Sequence, residues 1–383
     1  MAHPILQFGT GRFLQAHVDL FVSQALARGE ALGGIAVVQT TGNAQSTART
    51  AALAGGAGYP VEIRGLLGGH RVNETVHVDA VRQAWHADTH WPQIVAAVAT
   101  DVRVIVSNTG DRGYALDPAD GPSLLSGGTA APRSFPAKLA VLLYRRWRQQ
   151  PGAGPSLFPC ELVPRNGDAL RSVVCELAKS WQAPASFIDY LHDECVWVNS
   201  LVDRIVSEPL VPVGAVAEPY ALWAIERQRG MVLPCTHPAI VLTDDLGRFE
   251  RLKLMLLNLA HTFLAERWLA EGRPRDETVL QAMNDAPLRA ELEAVWHDEV
   301  MPVFEALGEG REARDYLVVL RDRLLNPFLA HRLADIAQNH APKKQARIGL
   351  LLSHADTLGL PPTQRRLRVA MANNKELPHD AVR

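Results

Sequence analysis

The sequence predicts an α/β fold in two parts: an open, mostly parallel sheet with covering helices, followed by a mainly α-helical C-terminal domain. Three observations lead there. Short apolar segments alternate with helical periods through the first half, the first of these segments runs through a glycine turn into a helix, and beyond Gly247 nearly every segment has helical periodicity. A chain of 383 residues exceeds the usual single-core size, and the division is expected at 1–208 and 209–383, where Pro209, Pro212 and Pro219 mark the crossing.

Composition excludes several classes. With 39 basic and 41 acidic residues the formal charge is −2, which leaves no electrostatic footprint for nucleic acid or an acidic membrane. The four cysteines, Cys160, Cys175, Cys195 and Cys235, form no C-x-x-C pair, so they indicate neither a zinc knuckle nor a disulfide framework and suit a reducing compartment. No run approaches the ~18 consecutive apolar residues of a membrane span, and the start lacks the basic, apolar and cleavage regions of a signal peptide. A soluble, cytoplasmic protein is expected, without nucleic-acid or membrane partners and either a monomer or a homodimer.

In chain order, Pro4 to Phe8 reads as a strand, Gly9-Thr10-Gly11-Arg12-Phe13 as the turn, and Leu14 to Arg28 as the helix that follows. Glycines at such a corner let backbone N–H groups approach a pyrophosphate, so this is the candidate loop of a Rossmann-like dinucleotide-binding domain. Leu14 stands where the full G-x-G-x-x-G pattern has its third glycine, and an ordinary tight turn is the alternative. Ile35 to Gln39 is the second strand. It ends in Gln39 where a ribose-binding acid is usual, so NAD and NADP are not separated by the sequence, and Arg49 downstream suits either a 2′-phosphate or a solvated helix face.

Val61 to Leu67 and Arg71 to Val78 alternate like a hairpin, and a short helix is expected near Trp91 to Ala99. His86 and His90 have helical i,i+4 spacing but no accompanying acid, which argues against a metal site. Val102 to Val106 has the continuous apolar character of a central parallel strand, and it ends in Ser107-Asn108-Thr109-Gly110-Asp111-Arg112-Gly113-Tyr114, polar residues where open sheets bind ligands. A Pro/Gly/Ser-rich loop at Asp117 to Pro132 and a helix at Pro136 to Gln150 follow. Ser156 to Val163 reads as another buried strand, ending in Pro164-Arg165-Asn166-Gly167-Asp168, which equally suits an Asn-Gly turn with Asp168 as a helix cap.

The C-terminal half is expected to hold helices at Leu246 to Ala270, Asp276 to Asn284, Leu288 to Leu307, Glu312 to Leu325, Pro327 to Asn339 and Pro361 to Asn373. The first carries Lys253, Asn258 and His261 within a Leu-rich run. At ~100° per residue these three fall within an arc of roughly 140°, so one ligand can touch all of them. Burying such groups without partners is costly; a snorkelling lysine and a satisfied core histidine are the ordinary explanation.

Lys-x4-Asn-x2-His on such a helix resembles the signature of the polyol-specific long-chain dehydrogenases, the family of mannitol dehydrogenase, tagaturonate (altronate) reductase and fructuronate (mannonate) reductase. GTGRFLQAH, SNT-x-x-x-GY, the strand-end Asn166-Gly167, NS-x-VDRI at Asn199 to Ile205, and Asn326-Pro327-Phe328-x-x-His331 with Asn339, Lys343 and Arg347 extend the resemblance from Ile5 to about Arg347. Asp335 stands where a mannitol dehydrogenase is expected to carry arginine, which leans toward the uronate branch. The chain is also shorter than those reductases generally are, so surface insertions are expected to be missing.

The resemblance implies a metal-independent NAD(P)-dependent oxidoreductase of a sugar acid, tagaturonate/altronate first and fructuronate/mannonate second, with a polyol such as mannitol or arabinitol as the alternative substrate. It implies Lys253 as general acid/base, Asn258 and Asn166 around the reacting oxygen, His261 positioning substrate and Asp203 orienting the polar groups. Gly9, Thr10, Gly11, Arg12, Phe13, Gln39 and Asn108 would hold the cofactor, NAD by family preference, and Lys343 and Arg347 a substrate carboxylate. Lys253 would reach into the cleft from the helical domain, its amine kept partly deprotonated by apolar surroundings. A non-catalytic dinucleotide sensor and a metal-dependent hydrolase using the fourteen histidines are the rivals from other classes.

Overall fold

The computed structural model describes residues 3–110 and 112–373. Its strands in chain order are Ile5–Phe8 (β1), Ile35–Gln39 (β2), Tyr59–Leu67 (β3), His70–Val78 (β4), Val81–His86 (β5), Val104–Ser107 (β6), Ser156–Pro159 (β7), Val196–Trp197 (β8), Ser200–Asp203 (β9), Val206–Pro209 (β10), Ala215–Ala217 (β11), Leu222–Glu226 (β12) and Ile240–Thr243 (β13). Two compact units emerge. One holds the residues up to Ile63 with Glu74–Ala217 and Ala221–Leu246; the other holds Arg64–Asn73, Glu218–Tyr220 and the chain from Gly247 onward.

The first unit is organised by a six-stranded sheet in the order β5-β2-β1-β6-β7-β8, parallel throughout. Counted within the sheet this is the 3-2-1-4-5-6 order of a doubly wound fold. β1, β2, β6 and β7 are buried at every position, which is why they read as unbroken apolar runs: helices cover both faces of such a sheet. Trp91, Ile94 and Val98 of the helix Ala87–Thr100, and Leu139, Leu142 and Leu143 of Phe135–Gln149, pack into that core. β3 alternates between buried and less buried positions, as the hairpin pattern predicts.

Three expectations need correction in this unit. The strand expected over Ser156 to Val163 stops at Pro159, because Asn166 binds the carbonyls of Pro159 and Glu161 and turns the chain out of the sheet. The helix expected from Leu14 to Arg28 is two helices, Arg12–Gln15 and Val18–Leu26, interrupted at His17, whose φ of −125° and ψ of −89° are non-helical. A four-residue turn has little macrodipole, so the charge-stabilising helix end expected for a pyrophosphate is weak here. Asp168 does not cap the helix that begins at Asn166; its backbone N–H donates instead to the Asn199 side chain at 3.1 Å.

The second unit packs helices around Met255, Leu256, Leu259, Phe263, Trp268, Trp296, Phe304, Leu320, Ile348 and Leu351. Glu218 belongs with it because its carboxylate forms a fully buried ion pair with Arg323 at 2.9 Å. The expected helix Leu246 to Ala270 is present but not uniform: Leu246–Leu252 and Leu259–Glu271 are α-helical, and Lys253–Asn258 between them is a π-helix. Two further π segments, Val295–Val300 and Gln345–Gly349, interrupt later helices.

Of the helix expected over Pro327 to Asn339, only Leu333–Ile336 forms. Asn326 accepts the N–H of Phe328 at 2.9 Å, an Asx turn that competes with helix at that end. Asn339 closes the other end in the left-handed region at φ 53°. A helical run from His340 to Thr357, not among the expected helices, follows. Among the described residues no helix is long and apolar enough to cross a membrane.

Candidate active site

In the first unit the glycine corner sits where β1 ends. Gly9 has φ +113°, and a Cβ there would stand 2.5 Å from the carbonyl oxygen of Asn108, so this glycine answers to the close approach of the β6 strand end. Gly11 is different. Its backbone is extended (φ −68°, ψ 156°) and nothing lies within 4 Å of a Cβ built on it. The chain itself gives no steric reason for glycine at that position; bare backbone opening on space is what a pyrophosphate needs.

Beside this corner is a cavity of about 340 Å³ whose lining includes Gly11, Arg12, Gln45 and Arg49 and no acidic residue. Arg12 donates to the Val206 carbonyl at 3.2 Å and Arg49 to that of Thr10 at 3.4 Å. Thr10 is 3% exposed and bonds the Gln39 side chain, whose amide turns back on Thr41. Phe13 stacks on His17 at 4.8 Å. Of the residues expected to hold a dinucleotide, Gly11 and Arg12 line this basic cavity, while Thr10 and Gln39 bond each other out of its lining.

Asn108 follows β6 at the point where the sheet order reverses, the usual ligand crevice of an open sheet. Its side chain donates to the Cys160 carbonyl at 2.9 Å and its N–H to that of Phe8 at 3.0 Å, tying three strand ends together. Asp111 of the same run lies outside the described residues.

Asn166 is 1% exposed and its carboxamide is fully engaged. The amide nitrogen donates to the carbonyls of Pro159, Glu161 and Ser200, and the oxygen accepts the N–H groups of Gly167 and Ser200. Gly167 is demanded by packing, since a Cβ would come within 2.6 Å of the Val198 backbone. Asp203 ends β9 and is 4% exposed, and the neighbouring Arg204 donates to the Ala16 carbonyl.

In the second unit Lys253 and Asn258 are half-buried at the two ends of the π segment, and His261, 8% exposed, lies in the α-helix just beyond it. A π-helix closes i→i+5, so its last residue returns close over its first, nearer than α-helical geometry allows, and such segments are frequent at functional sites. Asn258 uses only its backbone carbonyl, which accepts from the Thr262 hydroxyl at 2.9 Å and from Arg347 at 3.4 Å. No described residue hydrogen-bonds its carboxamide.

Arg347 also donates to the Thr262 hydroxyl at 2.8 Å, so it lies against the Lys253 helix rather than on a solvated face. Lys343 donates to the Ile336 carbonyl at 2.8 Å. Neither cation has a carboxylate partner among the described residues. Burial lowers the affinity of Arg347 for its proton, and burial together with the charge of Arg347 lowers that of Lys343. Asp335 pairs with Arg332 instead, at 3.2 Å.

His331, to which the sequence motif assigns no role, stands beside His261. Its ring meets that of His261 edge-on with centroids 4.9 Å apart, its Nδ1 is buried without a hydrogen-bond partner among the described residues, and burial lowers its pKa. The Asn-Pro-Phe-x-x-His spacing was the available signal. Among the described residues no group of three or more His, Cys, Asp or Glu side chains is arranged to hold a metal ion.

A doubly wound sheet with an open glycine corner, in a chain whose other unit carries a lysine, a carboxamide and a histidine around a π turn, defines the class of nucleotide-dependent dehydrogenases. Residues 3–233 match the mannitol dehydrogenase Rossmann domain and residues 245–372 the mannitol dehydrogenase C-terminal domain. The chain belongs to the mannitol dehydrogenase family and is a dehydrogenase acting on a CH–OH group.

It is 32% identical over 400 residues to an altronate oxidoreductase of Yersinia pestis bv. Antiqua (strain Nepal516), covering 97% of this chain and 79% of that one. It is 30% identical over 385 residues to the altronate oxidoreductase of Bacillus subtilis (strain 168), covering 94% and 76%. Among solved structures, a substrate-free D-sorbitol dehydrogenase superposes with a TM-score of 0.76 at 18% identity, covering 94% of this chain and 78% of that one. Pseudomonas fluorescens mannitol 2-dehydrogenase, in a ternary complex with NAD and D-mannitol, gives 0.72 at 19%, covering 97% and 78%. The last two show the shared fold.

Proposed function

We propose that the protein interconverts the secondary alcohol of an aldonate and the ketone of the corresponding hexuronate, altronate/tagaturonate first, with NAD. The observation that carries the substrate class is the pair of cations without carboxylate partners, Lys343 and Arg347, with Arg347 bound to Thr262 on the helix of Lys253, Asn258 and His261. Burying a guanidinium without a counter-charge is costly, and a substrate carboxylate offsets that cost with charge-assisted hydrogen bonds. The altronate oxidoreductases at about 30% identity support the same reading.

The corner Gly9 to Phe13, with Gln39 and Asn108, would hold the dinucleotide, which when bound supplies hydride acceptance in oxidation and donation in reduction. Lys253 Nζ takes the hydroxyl proton in oxidation and returns it in reduction. Asn258, whose carboxamide has no hydrogen-bond partner among the described residues, donates to the oxygen on which charge develops. His261 positions the substrate, and Asp203 orients the polar groups from a buried position. In this scheme Asn166 acts through the strand ends it ties, because both of its amide protons already have carbonyl acceptors.

The test is a panel of hexuronates, aldonates and alditols assayed with NAD and NADP at the reduced-nicotinamide absorbance. Turnover of altronate or tagaturonate with NAD is expected. Activity confined to alditols would replace the sugar-acid reading with that of a polyol dehydrogenase, and no turnover with any compound would favour a non-catalytic sensor.

A further inference from the structure

Glu161 had no role in the sequence reading, yet it organises the end of the central strand. It is 5% exposed and lies two residues beyond the end of β7. Its Oε1 accepts the backbone N–H and the hydroxyl of Thr109, both at 2.9 Å. Its Oε2 accepts the hydroxyl of Ser107 at 3.0 Å and, more weakly, that of Tyr114 at 3.5 Å. Every donor belongs to the end of β6 or to the loop that follows, the run containing Asn108. Among the described residues no lysine, arginine or histidine pairs with this carboxylate.

A buried carboxylate is ordinarily accompanied by a cation; here neutral donors surround it and its charge is left uncompensated by any described residue. Two neighbours register that charge. Burial raises the pKa of the Tyr114 hydroxyl and of the Cys160 thiol, and in both cases the negative charge of Glu161 raises it further. β6 borders the point where strand order reverses, so this field is felt in the crevice where an open sheet binds its ligand. An oxidised nicotinamide ring carries a positive charge that the reduced ring lacks.

We propose that Glu161 is a positioning residue of the cofactor site, fixing the Ser107-Asn108-Thr109 turn and, through its uncompensated charge, favouring the oxidised cofactor over the reduced one. The inference rests on the dinucleotide reading above. It assigns to one side chain both the shape of the turn and the relative affinity for the two redox forms.

The test titrates the wild-type protein and Glu161→Gln with NAD⁺ and with NADH separately, without substrate, by calorimetry or tryptophan quenching. The ratio of the NAD⁺ dissociation constant to that of NADH is expected to rise about tenfold in Glu161→Gln, the order of one charge interaction in a partly buried site. Tyr114→Phe and Ser107→Ala remove donors and keep the charge, so they are expected to leave the ratio within about twofold. A shift in either as large as in Glu161→Gln, or an equal change in both constants of Glu161→Gln, overturns the charge assignment. Should Glu161→Gln fail to fold, Glu161→Asp decides: a ratio that rises although the charge is retained overturns the proposal. A wild-type protein that binds neither form removes the dinucleotide reading itself, an outcome distinct from binding without discrimination.

Discussion

Asn258 ends the π-helical segment that Lys253 begins. In an α-helix two residues five apart point about 140° away from each other, whereas closure through i→i+5 brings the fifth residue back over the first. That closure sets the two residues on one side of the helix, the placement that the proposed joint handling of a single oxygen requires. Lys253→Ala is expected to lower kcat by at least about 10²-fold, the usual contribution of a general acid/base, while the dissociation constant for NAD stays within a fewfold of wild type. Steady-state kinetics beside a binding titration checks this; parallel loss of binding and turnover would mark the lysine as structural.

The two asparagines are expected to fail in different ways. Asn258→Ala removes a carboxamide that no described residue hydrogen-bonds, so kcat should fall by roughly 10²-fold or more, as for a lost oxyanion donor, with the melting temperature nearly unchanged. Asn166→Ala takes a donor from the Glu161 and Ser200 carbonyls and the side-chain acceptor from the N–H groups of Gly167 and Ser200, while the Pro159 carbonyl keeps the Ser200 hydroxyl. Each unsatisfied buried group costs about 1–3 kcal/mol, so the midpoint should drop by several degrees. Thermal denaturation alongside kinetics separates the two; an Asn166→Ala protein as stable as wild type but inactive would restore Asn166 as a direct donor.

Why these distinctions escaped the sequence is physical. Strands β1 and β2 were legible because a sheet covered on both faces forces unbroken apolar runs. The Leu-rich helix was equally plain, but its π segment was not, since one extra residue per turn leaves the apolar pattern almost intact. Asn166-Gly167 was recognisable as special without revealing how: the glycine answers to the Val198 backbone, which is remote in sequence. Glu161 gave no local signal, because its donors lie more than forty residues earlier. His340 to Thr357 was missed where the short helices at 333–336 and 340–344 meet at a left-handed Asn339 and blur the period.

Arg347 touches the helix of Lys253 and Asn258 directly, so a substitution has two possible consequences that must be told apart. If it reads a carboxylate, Arg347→Leu should lower kcat/KM for an aldonate by about 10- to 100-fold, the range for losing a hydrogen bond to a charged group. An alditol of the same chain length should be affected little. Lys343→Met should act in the same direction and more weakly, its bond to the Ile336 carbonyl being the only side-chain hydrogen bond it makes among the described residues. Equal losses on acid and alditol would instead show that Arg347 merely supports Thr262 and Asn258.

Asp19 and His17 give the first unit opposed responses to pH. Asp19 is buried with Tyr59 donating to it at 2.7 Å, and burial, only partly offset by hydrogen bonds, pushes its pKa from 3.8 up to about 7. The folded chain therefore keeps a proton that the unfolded chain releases; this stability is present in full below 3.8 and is lost as pH rises through about 7. His17 is the reverse, since burial lowers its pKa from 6.5 to about 3, so its contribution is present above 6.5 and lost as pH falls toward 3. Between about 4 and 6.5 the two slopes nearly cancel, so the wild-type profile alone hides both. Asp19→Asn removes one of them. Its stability relative to wild type should climb from pH 4 to pH 7, by an amount on the order of a few kcal/mol, and level off above. Denaturant melts at half-unit intervals of pH measure the difference directly, and a difference that stays constant from pH 4 to pH 8 would mean that Asp19 does not titrate in that window.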